Sequence, residues 1–119
     1  MDITKATVQE LHLELIKRAS FNNFDGEAVV ASLLKHTDLW EAVIMTRLDF
    51  HELIVLRDMT TNSNNVCELY ILTDDEHAQT LKDLAQTWNA DEVDFEEHPD
   101  NRLGSYGSKV GKILRVWWD

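Results

Sequence analysis

Ten acidic side chains stand between Asp74 and Asp100, with Lys82 as the one basic residue among them. Carboxylates at such density can ligate a cation, move protons or present a negative field to a basic partner, and spacing decides between these. In Glu92-Val93-Asp94-Phe95-Glu96 the acids alternate with apolar residues. That is the period of a half-buried strand, which turns the carboxylates to solvent. We read Asp91, Asp94, Glu96 and Glu97 as a negative strip open to a basic protein. The plainer alternative is that acids on an edge strand keep the chain soluble and discourage pairing.

The second set is Arg115, Trp117 and Trp118 in the carboxy-terminal run, with Tyr106 upstream. Two consecutive tryptophans on a strand point to opposite faces, so one of them lies away from the core. Arg115 shares the face of Trp117 and can stack on an aromatic ring there. Tyr106, Arg115 and Trp117 are therefore read as an aromatic and basic contact face.

Catalytic and metal-binding patterns are weaker. Cys67 sits inside the apolar run Val66 to Leu72, as a small buried hydrophobe would. None of the five histidines forms an HExxH pair. Asp74 to His77 and Glu96 to His98 would meet on one ion only if a helix start reached a strand end, and adjacent residues seldom point at one ion. The glycines and lysines from Gly104 to Lys112 precede a strand and lack the terminal hydroxyl of a phosphate loop. No serine sits in a GxSxG elbow. The reading assigns no catalytic residue, metal or cofactor, and leans against an enzyme.

These residues need elements to hold them. Thr7-Val8-Gln9-Glu10 has capping-box spacing and starts a helix to about Ser20, with Val8, Leu11, Leu15 and Ala19 near one stripe and Leu13 and Ile16 broadening it. Asp25 can cap a second helix ending near His36, and Thr37 and Asp38 a third, shorter one through Trp40, Val43 and Ile44. Leu53 to Leu56 and Val66 to Leu72, separated by polar Thr60 to Asn65, read as an antiparallel hairpin. Thr73-Asp74-Asp75-Glu76 is a second capping box, opening a helix through Leu81 and Trp88. A strand at Val93 to Glu96, a loop over His98 to Gly107 and a final strand over Lys112 to Trp118 complete the chain. The expected fold is α+β: three amino-terminal helices, a hairpin, a helix and two further strands. The strands form a mostly antiparallel four-stranded sheet with helices on one face.

Composition bounds the rest. The 119 residues suit one domain over 1–119. A formal charge of −11 opposes binding to phosphate backbones. Without a signal-like start, an apolar span of membrane length or a second cysteine, the chain reads as cytoplasmic. The function expected is a non-enzymatic protein–protein interaction module, in one version an inhibitor or immunity-type protein acting on a basic partner. The alternatives are a small enzyme or ligand-binding domain with a pocket between sheet and helices, and a self-associating subunit, such as a homodimer.

Overall fold

A computed structural model describes residues 1–46, 53–99, 103 and 111–119. Helix α1 covers Val8–Lys17, and both bonds of its capping box are present: Thr7 Oγ1 accepts from Glu10 N, and Glu10 Oε1 accepts from Thr7 N. A two-residue pair, β1 (Ser20–Phe21) and β2 (Phe24–Asp25), turns the chain into α2 (Gly26–Lys35). The Asp25 carboxylate caps α2 by accepting from Ala28 N at 3.1 Å. At Gly26 the two helices approach so closely that a Cβ would lie 2.1 Å from the Ile16 carbonyl oxygen. Any other residue there would force them apart.

The four-stranded sheet has the order β3-β4-β6-β5, and each neighbouring pair is antiparallel. Its strands are β3 (Ala42–Thr46), β4 (Glu68–Thr73), β5 (Glu92–Phe95) and β6 (Lys112–Trp117). Leu13 and Ile16 of α1, Val30 and Leu33 of α2, and Leu81 and Ala85 of α4 (Ala78–Ala85) join one core with Val43, Leu69, Ile71, Leu114 and Val116. Helices α1, α2 and α4 thus cover one face of a four-stranded sheet that is antiparallel throughout, in keeping with the expected α+β fold. No helix among the described residues is long and apolar enough to cross a membrane.

Four local readings are corrected. The expected third helix is one 3-10 turn, Thr37–Leu39, followed by β3. Ala42 to Thr46 is rich in strand formers and satisfies its inward backbone groups against β4, while the Trp40 indole donates to Leu33 O at 2.8 Å and closes α2. The expected first hairpin strand begins α3 instead (Ile54–Thr60), so β4 pairs with β3 across an intervening helix. A short apolar run fits either structure by periodicity alone. Here Asp58, buried within α3, accepts from Asn65 Nδ2 at 3.1 Å and ties the polar connection to the helix.

The second capping box is displaced. Thr73 ends β4 with its hydroxyl donating to Leu39 O at 2.6 Å, so the turn before α4 is held by Asp74, whose carboxylate accepts from His77 N at 2.9 Å. Finally, α1 buries Leu13, Ile16 and the following Ala19, while Val8, Leu11 and Leu15 are exposed. The broadening residues of the expected stripe are its centre.

Candidate interaction surface on the sheet

Strand alternation and register place the sequence-derived residues. Away from the helices, one cross-strand row carries Thr46, Glu68, Trp117 and Glu92; the next carries Ile44, Tyr70, Arg115 and Asp94. Trp118, one residue further, is fully buried against Phe24, ring centroids 4.4 Å apart, and its indole donates to Trp88 O at 3.0 Å. Trp117 is half-buried on the opposite face. The two tryptophans divide between core and outer face as their spacing requires.

Arg115 is the organising side chain of this face. Its Nε donates to Glu68 Oε2, its Nη1 to Glu92 Oε2 at 3.0 Å, and its guanidinium lies 5.8 Å from the Trp117 ring centroid. Glu68 is braced from the other side by Thr46 Oγ1, which donates to Oε1 at 2.8 Å. Partial burial works against the charge on Arg115, but the Glu92 and Glu68 carboxylates outweigh it and hold the guanidinium above its ordinary range. Asp94 stands opposite Arg115 in register and is exposed. Two carboxylates therefore share one guanidinium, a third stands across from it in register, and these four side chains sum to a net negative charge.

The acidic strip is less uniform than its sequence suggests. Asp94 faces outward beside Glu92, and Val93 and Phe95 turn toward the core, as the alternation requires. Asp91 lies just before the strand, where its carboxylate accepts from Asp119 N at 2.8 Å. Glu96 is half-buried and extends the ladder by donating its N–H to Ile113 O at 2.9 Å; Glu97 is exposed beyond the strand. Asp94 and Glu96 thus continue the outer face with Glu92, whereas Asp91 pins the carboxy-terminal backbone. Tyr106 lies outside the described residues. Tyr70 occupies the position beside Arg115, and Ile44, 48 % exposed, adds an apolar surface at the far edge.

Glu68, Tyr70 and Ile44 join this face without a mark in the sequence, and Glu92, turned to solvent by the alternation, joins it as a partner of Arg115. Glu92 was accessible through its two-residue spacing from Asp94. The other three depend on the β3-β4 and β4-β6 registers, which no local pattern encodes.

Cys67 is buried and in no disulfide. Asp74 Oδ1 accepts from the His77 backbone and lies 2.8 Å from His77 Nδ1. Among the described residues, no group of three or more His, Cys, Asp or Glu side chains could hold a metal ion. A cleft of about 430 Å³ opens between the amino-terminal segment, α1 and α2, lined by Lys5, Glu10, Leu13, Glu14, Val30 and Leu34. It lies on the helical side, remote from the outer sheet face. Comparison with protein-family models, curated proteins and solved structures finds no match to this chain.

Proposed function

We propose that this chain is a non-catalytic protein-binding module that engages a basic partner through the outer face of its sheet and the acidic strand β5. The observation that carries the reading is the commitment of Arg115 between Glu68 and Glu92. It offsets one of the two carboxylate charges at the middle of the face and, among the described residues, leaves Asp94 at the rim without an ion pair. A half-buried tryptophan within a charged rim is the composition of a contact hot spot, and the negative rim favours approach by Lys- and Arg-bearing surfaces. An inhibitor or immunity-type role is the finer version, in which the carboxylates take the place of phosphates in the partner's basic site.

The test is capture of partners from the source lysate at low and moderate salt, followed by binding of each purified candidate to the wild type and to the triple variant Asp91→Lys, Asp94→Lys, Glu96→Lys. The reading expects a basic protein whose affinity falls with salt and with charge reversal. Affinity indifferent to both would refute it. Competition between the chain and nucleic acid for the purified partner tests the inhibitor version, which fails if both bind at once.

A further inference from the structure

The sheet has two edges, and they are finished differently. At β3, the Gln9 side chain of α1 donates from Nε2 to Val43 O at 2.8 Å, and its Oε1 accepts from Val43 N at 2.9 Å. One amide thus satisfies the outward backbone groups of Val43, and the helix covers the edge at that residue. At β5, Glu96 bonds inward to Ile113, so antiparallel alternation directs the N–H and C=O groups of Val93 and Phe95 outward. Among the described residues, no backbone bond outside the β5-β6 ladder reaches either of them.

From this asymmetry we infer that β5 receives an extended segment of a basic partner protein as a fifth strand, with Lys or Arg side chains across from Glu92 and Asp94 and apolar side chains across from Val93 and Phe95. The inference rests on the basic-partner reading above and adds its mode of attachment. Main-chain bonding along an open edge supplies affinity, and alternate side chains supply selectivity. On the outer face, Glu92 and Asp94 are exposed and select cations. On the helix side, Phe95 carries Lys82 and Lys112 at 5.7 and 5.4 Å from its ring centroid, which disfavours basic residues in that row. The fitting strand alternates basic and apolar residues. A second copy of β5 does not fit, because antiparallel self-pairing sets these carboxylates against one another, and like charges directly opposite destabilise a sheet.

The test uses the whole protein and three blocked peptides: an alternating Arg-Val-Arg-Val-Arg-Val-Arg, the same sequence N-methylated at alternate amides, and a block-ordered Arg-Arg-Arg-Arg-Val-Val-Val. Binding is followed by titration and by amide hydrogen exchange. The expected result is protection of the Val93 and Phe95 amides by the alternating peptide, with binding weaker by about tenfold for each control peptide and for Asp94→Lys. Equal binding of all three peptides overturns the inference. Perturbation of the Trp117 indole without protection at Val93 and Phe95 also overturns it, while leaving the basic-partner reading intact. No binding by any of the peptides at low salt overturns both.

Discussion

Gln9 lies against Val43 as a neighbouring strand would, exchanging two hydrogen bonds with one residue's backbone through a single side-chain amide. This contact docks α1 onto the sheet edge as well as covering it at Val43. Gln9→Ala strands the N–H and C=O of Val43 in a partly buried site. We expect a loss of about 1–3 kcal/mol in urea denaturation, accompanied by concentration-dependent light scattering as the edge becomes available. Gln9→Glu keeps an acceptor for Val43 N but offers no donor to Val43 O, so it should fall between the wild type and the alanine variant. An unchanged denaturation midpoint in Gln9→Ala would show that water replaces the amide without cost.

The outer face makes a second, independent prediction. Glu68 is less exposed than Glu92, at 17 % against 50 % for the side chains, so their bonds to Arg115 differ in worth. Removing the cation with Arg115→Met leaves the more enclosed Glu68 with Thr46 as its hydrogen-bond partner among the described residues, and should cost about 2–4 kcal/mol. Glu92→Gln breaks the exposed arm and should cost under about 1 kcal/mol. Denaturation of both single variants and the double variant gives the coupling directly. Equal losses from the two substitutions would contradict the ranking.

These two networks mark what was legible in the sequence. The capping box at Thr7, the cap at Asp25, the alternation at β5 and the opposite faces of Trp117 and Trp118 are local patterns, and each is realised. The misread segments, Trp40 to Ile44 and Leu53 to Leu56, are short apolar runs for which tertiary pairing, not periodicity, selects strand or helix. Arg115 was recognisable as a partner for Trp117 because the two are neighbours on one strand. Its carboxylate partners lie 47 and 23 residues away in sequence, and only the registers of β4 and β5 against β6 bring them together.

The turn before α4 titrates. The hydrogen bond to the Asp74 carboxylate raises the His77 pKa above the ordinary 6.5, and the His77 backbone and side chain hold Asp74 below the ordinary 3.8. The contribution of the His77 charge to stability is complete below pH 6.5 and is lost as pH rises through the raised value. That of Asp74 is complete above pH 3.8 and is lost as pH falls through the lowered value. The turn is therefore most stable between these limits. In an NMR titration, His77 should titrate above 6.5, and Asp74→Asn should bring it down. A His77 midpoint indifferent to that substitution would remove the ion pair from the account.

The adjacent tryptophans should separate stability from binding. Trp118 is fully enclosed, packs edge-on against Phe24 and donates to Trp88 O. Trp118→Phe both opens a cavity and strands that carbonyl, so a loss of about 2–4 kcal/mol is expected. Trp117 is half-buried and supports the Arg115 guanidinium on the outer face, so Trp117→Leu should cost only about 1 kcal/mol. Partner affinity should reverse the order. At a temperature where both variants are fully folded, Trp118→Phe should bind a basic partner as the wild type does, whereas Trp117→Leu should lose about tenfold or more. If the folded Trp117→Leu protein kept full affinity for a partner released by charge reversal at Asp94, contact would be confined to the acidic strand. The aromatic face would then serve only to hold Arg115 in place.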